Sequence, residues 1–276
     1  MKRLAFLISL TLFLAECKKA PIQRVVPKEE CIKVATFNIQ IFGKKKVQNS
    51  NLRTAIAEIV SRFDLTAIQE LRDKSRKTMK KLKETLLSRG FPAAYVASDR
   101  VGISRVKEQM VFLFNREKLR LRKDRLWSNP GNSYSRPPYE AFFFTKYNHT
   151  FSALTIHTRP SEAETEIRTL SEQIKVENKP DLLTGDWNAD CSYFNRNLLP
   201  QFFPDYDWSF PNPPDSTVGK TTCLYDQLAL KKRSRWYFRK KPRVFRFDWI
   251  ADKYGFARKK ISDHYPVYAT VCYINS

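Results

Sequence analysis

Short apolar runs that stop at a polar residue recur along this chain, and they limit its possible folds more than any other feature. The first run covers residues 32–37 and stops at Asn38, and the second covers Leu65 to Ile68 and stops at Gln69-Glu70. Short runs rich in apolar and β-branched residues are typical of buried strands. Because strand ends in sheet proteins converge on one rim, we expect the polar residues that stop these runs to lie close together.

Helical patterns separate several of the runs. Apolar residues recur at helical spacing from Leu52 to Phe63, with Ser50 as the predicted cap. Two more helices are predicted at about Lys74 to Ser88 and between Ser161 and Val176. Most later connections are too short for helical crossovers, which favours an α/β (α+β) fold with mixed sheets. Further strands are predicted at 93–97, 109–114, 141–145, 151–157, 181–185 and Tyr265 to Tyr273. The segment Leu198 to Thr222 is predicted to be a long surface excursion.

The first residues have the layout of an export signal. Lys2-Arg3 precede an apolar run from Leu4 to Ala15, which is too short to cross a bilayer as a helix. We expect residues 1–17 to be a signal peptide, 18–30 a short linker and 31–276 a single domain. Leu14-Ala15-Glu16-Cys17 resembles a bacterial lipoprotein box, so lipidation of Cys17 and simple secretory cleavage both stay open. The protein is expected to be secreted or bound to a bacterial cell envelope, with membrane contact only through that lipid.

The chain is strongly basic, with 50 Lys and Arg against 28 Asp and Glu and a net charge of +22. Such a surface attracts polyanions, among which nucleic acid, anionic lipid headgroups and acidic glycans are all candidates. The segment Lys231 to Arg246 interleaves basic and aromatic residues, although Trp236, Tyr237 and Phe238 could equally be core residues. The alternative interpretation of the charge is a basic secreted protein that has no polyanion partner.

The residues at the strand ends are suited to metal-assisted acid–base chemistry. Carboxylate and amide oxygens favour Mg²⁺ or Mn²⁺, with Ca²⁺ also compatible, rather than zinc. Imidazole transfers protons near neutral pH. A hard cation can polarise a phosphoryl oxygen, so the combination predicts phosphate-ester cleavage. The strand-end residues are Asn38, Glu70, His157, Asp186, Asn188, Asp263 and His264. The third histidine, His149, lies between two predicted strands and is interpreted as a turn residue.

Six motifs in order resemble the endonuclease/exonuclease/phosphatase superfamily, and within it the deoxyribonuclease I-like branch. They are Thr36-Phe37-Asn38-Ile39, Ile68-Gln69-Glu70, Thr155-Ile156-His157, Gly185-Asp186-Trp187-Asn188-Ala189-Asp190, Tyr225-Asp226 and Ser262-Asp263-His264-Tyr265-Pro266-Val267. The resemblance covers residues 32–272. It implies a four-layer αββα sandwich of two packed mixed β-sheets flanked by helices. It also implies a metal-dependent endonuclease that cleaves DNA, with RNA as another possible substrate, and leaves 5′-phosphate ends.

The resemblance further implies roles for individual residues. Glu108 would orient His157, and Asp226 would orient His264. The metal ion and the scissile phosphate would be held by Asn38, Glu70, Asp186, Asn188 and Asp263. Substrate contacts are implied for Arg72, Arg136, Asn38 and Gln40, where Gln40 replaces an arginine of the family and Val106 replaces an aromatic residue.

Four cysteines remain once Cys17 is set aside, and they allow three pairings. The resemblance implies a disulfide between Cys191 and Cys223. Cys31 lies seven residues before Asn38 and Cys272 eight residues after His264, which places them at similar depth in the sheet. We therefore expect a second disulfide between Cys31 and Cys272.

Other functions stay open at this point. A phosphodiesterase of the same superfamily could act on lipid, as a sphingomyelinase does, or could be a toxin-type nuclease subunit. A surface polyanion-binding protein with an inactive core is an alternative of another class. No protein partner is predicted, and the protein is expected to be a monomer.

Overall fold

The computed structural model describes residues 29–103, 105–177 and 179–274. The predicted signal peptide, the lipidation of Cys17 and most of the predicted linker lie outside these residues. The first strand begins at Glu29, so Glu29 and Glu30 belong to the sheet and the linker prediction was wrong for these two residues. None of the described helices is long and apolar enough to cross a membrane.

Twelve strands in the described residues form two six-stranded mixed sheets. The first sheet contains β1 (Glu29–Phe42), β2 (Leu65–Leu71), β3 (Ala93–Ala97), β4 (Gln109–Asn115), β11 (Trp236–Val244) and β12 (Val267–Ile274). The second contains β5 (Leu119–Leu126), β6 (Tyr139–Thr145), β7 (Thr150–His157), β8 (Leu182–Asp186), β9 (Tyr206–Asp207) and β10 (Asp226–Lys231). Their orders are β11-β12-β1-β2-β4-β3 and β5-β6-β7-β8-β10-β9. Among these strands, only the central pairs β1–β2 and β7–β8 are parallel.

Helices cover the outer face of each sheet. The first sheet is covered by α1 (Lys44–Gln48), α2 (Ser50–Val60), α3 (Lys77–Ser88), α6 (Asp248–Lys253) and α7 (Arg258–Ile261). The second is covered by α4 (Ala163–Val176) and α5 (Leu199–Phe202). Buried apolar residues form one cluster beneath each helical layer and a third cluster between the sheets. This is the four-layer αββα sandwich that the resemblance implied, and that expectation is confirmed.

Several local predictions were wrong for identifiable reasons. Asn49, not Ser50, caps α2, because its side chain accepts a hydrogen bond from the backbone N–H of Leu52 at 2.9 Å. The segment Leu198 to Thr222 is not simply a surface excursion: it contains α5 and β9, and Phe203 and Trp208 pack against the core. The proline and aspartate residues of this segment favoured a surface prediction although its aromatic side chains are buried.

Both predicted disulfides are present. Cys31 and Cys272 face each other across β1 and β12, at the end of the first sheet that lies away from Asn38. The second disulfide, between Cys191 and Cys223, joins the segment after β8 to the segment before β10. One disulfide therefore lies at each end of the sandwich.

Candidate active site

Two carboxylate–histidine pairs face each other at one rim of the sandwich. His157 ends β7 of the second sheet, and its Nδ1 lies 2.5 Å from Oε1 of Glu108, which directly precedes β4 of the first sheet. His264 precedes β12 of the first sheet, and its Nδ1 lies 2.7 Å from Oδ2 of Asp226 at the start of β10 in the second. Each pair thus joins the two sheets. In one pair the histidine comes from the second sheet, and in the other it comes from the first.

Asp186 lies between the two histidines. Its Oδ2 is 3.5 Å from Nε2 of His157 and 3.7 Å from Nε2 of His264, and it accepts a hydrogen bond from Nδ2 of Asn38 at 2.9 Å. Asn188 supports this carboxylate, because its backbone N–H donates to Oδ1 of Asp186 at 3.2 Å. Both imidazoles therefore present their outer nitrogens to one central carboxylate.

The same rim gathers the other predicted ligands. Nδ2 of Asn38 also donates to Oε1 of Glu70 at 3.3 Å, and Nε2 of Gln40 donates to Oδ2 of Asp263 at 2.6 Å. Oδ1 of Asn38 and Oδ1 of Asp263 are buried, and neither has a hydrogen-bond partner among the described residues. Free oxygen acceptors beside ionised carboxylates suit a hard divalent cation.

A second grouping of possible ligands overlaps this set only at Asp186. One ligand atom each from Asp186, Asp226 and His264 lies within 4.8 Å of the others. Asp226 and His264 already bind each other through Nδ1 of the imidazole. The oxygen-rich set around Asn38 and Glu70 is therefore the better fit for Mg²⁺ or Mn²⁺.

The electrostatic surroundings of the two histidines differ. Burial lowers the pKa of His157, but the charge and hydrogen bond of Glu108 and the charge of Asp186 together outweigh this effect, and the net pKa is raised. Burial also lowers the pKa of His264, but Asp226 and Asp186 raise it to about 10. Burial raises the pKa of Glu108, whereas the charge and hydrogen bond of His157 and the charges of Arg136 and Arg72 together bring it below its ordinary value. Carboxylates therefore favour the protonated form of both imidazoles, and the charge of Arg136 opposes it at His157.

Backbone strain is concentrated at this rim. Ile41, Glu70 and Asn188 have positive φ values of 49°, 64° and 47°, a conformation that side chains other than glycine rarely adopt. Glu70 is held there because its Oε2 accepts from the N–H of Ile41 at 2.8 Å and pairs with Arg72 at 2.7 Å. Residues strained in this way often belong to functional sites.

Gly185 allows β7 and β8 to approach closely beside His157 and Asp186. Its φ is +132°, and an added Cβ would lie 2.0 Å from the carbonyl oxygen of Ile156. The parallel register then pairs His157 with Asp186. A glycine one residue before Asp186 therefore helps bring the two functional side chains together.

The two arginines predicted to contact DNA lie at the rim but already have partners. Nε of Arg136 donates to the carbonyl oxygen of His157 at 2.7 Å and lies 3.6 Å from Oε1 of Glu108. Arg72 pairs with Glu70. These contacts indicate that both arginines also position the site.

Sequence reasoning missed two buried serines that connect the site segments. Ser262 Oγ donates to the carbonyl oxygen of Asn38 at 2.6 Å and accepts from the N–H of His264 at 3.1 Å. Ser216 Oγ accepts from the N–H of Asp226 at 3.3 Å, and its carbonyl accepts from Tyr265 at 2.7 Å. Ser262 stands in a quoted motif, which was a usable signal, whereas nothing in the sequence singles out Ser216.

Comparison with known proteins gives consistent matches. The sequence profile of the endonuclease/exonuclease/phosphatase family matches residues 35–264. Deoxyribonuclease-1 of Ovis aries is 31% identical over 261 residues, which cover 87% of this chain and 100% of the relative. Deoxyribonuclease-1 of Bos taurus is also 31% identical, covering 87% of this chain and 92% of the relative.

Solved structures share the fold at much lower identity. An endonuclease/exonuclease/phosphatase family protein from Bacteroides thetaiotaomicron superposes with a TM-score of 0.64 at 15% identity, covering 90% of this chain and 100% of that one. A mannosyl-6-phosphatase from the same organism gives a TM-score of 0.59 at 16% identity, covering 87% and 99%. These structures show the fold alone.

Proposed function

The chain belongs to the endonuclease/exonuclease/phosphatase family, and from this premise we propose that it is a divalent-metal-dependent endonuclease that hydrolyses DNA phosphodiester bonds. One observation carries the proposal. Nε2 of His157 and Nε2 of His264 both lie within 3.7 Å of Oδ2 of Asp186. Two proton-transferring groups thus flank the centre where a phosphate and a cation would meet.

The metal would be held by the oxygens of Asn38, Glu70, Asp186 and Asp263, with Asn188 keeping Asp186 in place. Mg²⁺ or Mn²⁺ fits this oxygen set, and Ca²⁺ is also compatible. When bound, the cation polarises a phosphoryl oxygen and neutralises the charge that builds up during cleavage.

The two histidines would divide the proton transfers. We assign the leaving group to His264, because Asp226, Asp186 and Asp263 favour its protonated form, whereas the charge of Arg136 opposes protonation of His157. His157 then takes a proton from the attacking water through Nε2, while Glu108 holds its Nδ1–H. The water oxygen bonds to phosphorus and the bond to the 3′ oxygen breaks. The 3′ oxygen receives the proton from His264, which leaves a 5′-phosphate and a 3′-hydroxyl.

DNA is favoured over other phosphodiesters by charge and by relatives. The net charge is +22, and the relatives at 31% identity are deoxyribonucleases. Gln40 and Val106 depart from the pattern of that branch, so the contacts with the groove are expected to differ. RNA cleavage is the nearest variant of this proposal.

The test is a nicking assay on the oxidised protein. Supercoiled plasmid should be nicked with Mg²⁺ or Mn²⁺ and left intact with EDTA. Sphingomyelin and a hexose phosphate serve as parallel substrates. Hydrolysis of either without plasmid nicking would overturn the choice of DNA, whereas salt-dependent DNA binding without any turnover would favour the polyanion-binding alternative.

Export is proposed on separate grounds. Two disulfides lie in the described residues, and such bonds persist mainly in oxidising compartments. The layout of residues 1–17 agrees with this. Mass spectrometry of the mature N-terminus tests both export and the lipidation of Cys17, since an intact Met1 would oppose them.

A further inference from the structure

The segment Lys231 to Arg246 carries nine basic residues and no acidic residue. It forms the turn before β11 and β11 itself, at the edge of the first sheet. We call its exposed cations the basic strip. They are Lys232, Arg233, Arg235, Arg239, Lys240, Lys241, Arg243 and Arg246.

The strip is continuous because β11 is irregular. Among the described strands β11 pairs only with β12, and its register shifts between Phe238 and Lys240 and again between Lys240 and Arg243. A regular strand would turn alternate side chains inward, whereas bulges interrupt that alternation. As a result Arg239, Lys240 and Lys241 are exposed in succession.

Part of this charge is not neutralised by any of the described residues. Arg239 pairs with Glu29, and Arg246 pairs with Asp215 at 3.3 Å. Lys240, Lys241 and Arg243 make no ion pair or side-chain hydrogen bond within 29–103, 105–177 and 179–274. Three adjacent cations thus stay available to an external anion.

The aromatic residues of the segment hold the strip in place. Trp236 is buried, its Nε1 donates to the carbonyl oxygen of Thr150 at 2.9 Å, and its ring lies 4.8 Å from Phe151 and 5.1 Å from Tyr273. Trp236 therefore belongs to the core and is not free to stack on a base. The strip acts through charge on a fixed strand.

The strip begins at the catalytic rim. Val244 pairs with Val267, three residues after His264, and the guanidinium of Arg246 lies 4.3 Å from the centre of the Tyr265 ring. From there β11 runs toward the opposite end over nine residues, about 30 Å at ~3.3 Å per residue. That length corresponds to roughly nine base pairs of duplex at ~3.4 Å each.

Positive charge is not spread evenly over the molecule. Residues 160–177, which include α4 on the opposite layer, contain five Glu against one Arg and one Lys. The basic strip is therefore one of several basic regions, among which residues 74–83 and β5 are others. Lysine side chains also protect a free sheet edge from pairing with another strand. That role does not require the basic residues to extend as far as the rim that carries His157 and His264.

We propose that the basic strip is an accessory DNA-binding surface that holds the part of a long duplex extending beyond the scissile phosphate. The proposal rests on the proposed function. The strip would contact phosphates without reading bases, so it raises affinity for long substrates and leaves the chemical step unchanged.

The test compares a duplex of about 40 base pairs, which extends well past the strip, with bis(p-nitrophenyl) phosphate, a phosphodiester too small to reach the strip from the site. The variant Lys240→Gln/Lys241→Gln/Arg243→Gln should raise Kd for the long duplex about tenfold, measured in EDTA by fluorescence anisotropy. The slope of log Kd against log salt should fall by about 2 to 3, because each phosphate contact contributes ~0.9. With Mg²⁺, kcat should be unchanged on both substrates, and kcat/KM should be unchanged on the small phosphodiester.

Two control variants distinguish the effect of the position of the removed charges from the effect of their number. Arg120→Gln/Arg122→Gln/Lys123→Gln removes three exposed charges from β5, the edge strand of the second sheet, and should leave the long-duplex Kd within about twofold. Lys240→Arg/Lys241→Arg/Arg243→Lys keeps the charge and should bind like the unmodified protein. An equal loss in the β5 variant would overturn the proposal in favour of a general charge effect.

Other outcomes also decide. If the strip variant binds the long duplex normally but self-associates, the charges only protect the edge and the proposal fails. It also fails if the variant loses binding only to vesicles of phosphatidylcholine and phosphatidylserine in equal parts. If the unmodified protein binds long DNA through the strip but never nicks it, the proposed function fails while the strip survives.

Discussion

The two ends of the sandwich carry the same kind of carboxylate–histidine pair in different surroundings. At the rim that we propose to be catalytic, the pairs are Glu108–His157 and Asp226–His264. At the opposite end Nδ1 of His149 lies 2.7 Å from Oε2 of Glu30. All three pairs join the first sheet to the second, so the pair alone is a connection between layers.

What differs is what each imidazole faces beyond its partner. The outer nitrogens of His157 and His264 face Asp186, whereas the ring of His149 is stacked on Tyr273 with ring centres 3.9 Å apart. Buried oxygens without partners among the described residues, Oδ1 of Asn38 and Oδ1 of Asp263, occur at the catalytic rim. The proposed acid–base chemistry therefore requires, besides the pairs, a shared third carboxylate and free oxygen acceptors.

The largest expected effect comes from removing the rim imidazoles. His157→Ala and His264→Ala should each lower kcat for plasmid nicking by about 10²- to 10⁴-fold, because proton transfer by a positioned side chain contributes that much. His149→Ala should change kcat less than about twofold, since its ring does not face the site. Initial rates with saturating Mg²⁺ measure all three. A comparable loss in His149→Ala would break the distinction between the ends.

The disulfides extend the comparison to stability. Chain-entropy reasoning gives about 5 kcal/mol for Cys31–Cys272, which spans 241 residues, and about 4 kcal/mol for Cys191–Cys223, which spans 32. Both double serine variants should unfold at lower denaturant. Only Cys191→Ser/Cys223→Ser should also lower kcat, because this disulfide lies close in sequence to Asp226 at the start of β10. Beside it, the N–H of Leu224 donates a hydrogen bond to Oδ2 of Asp190, which fixes the residues before β10. Denaturant titration measures the stability of both variants, and nicking rates are compared under conditions in which both are fully folded. A larger loss of kcat in Cys31→Ser/Cys272→Ser than in Cys191→Ser/Cys223→Ser would contradict this prediction.

The sequence predicts more of each histidine's position than of its partner. His157 and His264 follow from their places at strand ends. Glu108 and Asp226 came only from the resemblance, because each lies on the other sheet and chain order does not show which strands of two packed sheets face each other. The disulfide Cys31–Cys272 could be predicted because the number of residues from Asn38 and from His264 places both cysteines at a similar distance from the rim.

Other features were missed because their physical signal was obscured. β5 was not predicted, because Arg120, Arg122 and Lys123 cover its few apolar residues with charge. Ser216 acts through backbone contacts among three segments, which no local pattern records. Residues that act through the packing of distant segments are in general the hardest to find from sequence.

A smaller effect is expected when one rim imidazole loses its charged partner. Asp226→Asn should lower the pKa of His264 from about 10, because the largest favourable charge is removed. A pKa raised above ~6.5 contributes stability that is complete below pH ~6.5 and is lost as pH rises through about 10. The difference in unfolding free energy between the unmodified protein and Asp226→Asn should therefore be largest below pH ~6.5 and shrink toward pH ~10.

Cation-free protein is the right sample for that titration, with the imidazole followed by NMR and stability by denaturant. Glu108→Gln is the matched variant for His157, whose pKa should likewise fall. If neither pKa moves, the carboxylates do not set the protonation of the imidazoles, and the assignment of His264 to the leaving group loses its basis.

The smallest effect is expected at the opposite end, where the pair has a structural role. His149→Ala should lower the unfolding free energy by about 1 to 2 kcal/mol, because among the described residues the largely buried Glu30 carboxylate then keeps only the hydroxyl of Thr145 as a partner, and Tyr273 loses its stacked ring. His149→Gln retains a donor and should recover part of this loss. Nicking rates should stay within about twofold in both variants. If His149→Ala instead lowered kcat without lowering stability, the two ends would be coupled through the sheets, and the third carboxylate would no longer explain the proposed difference in function between them.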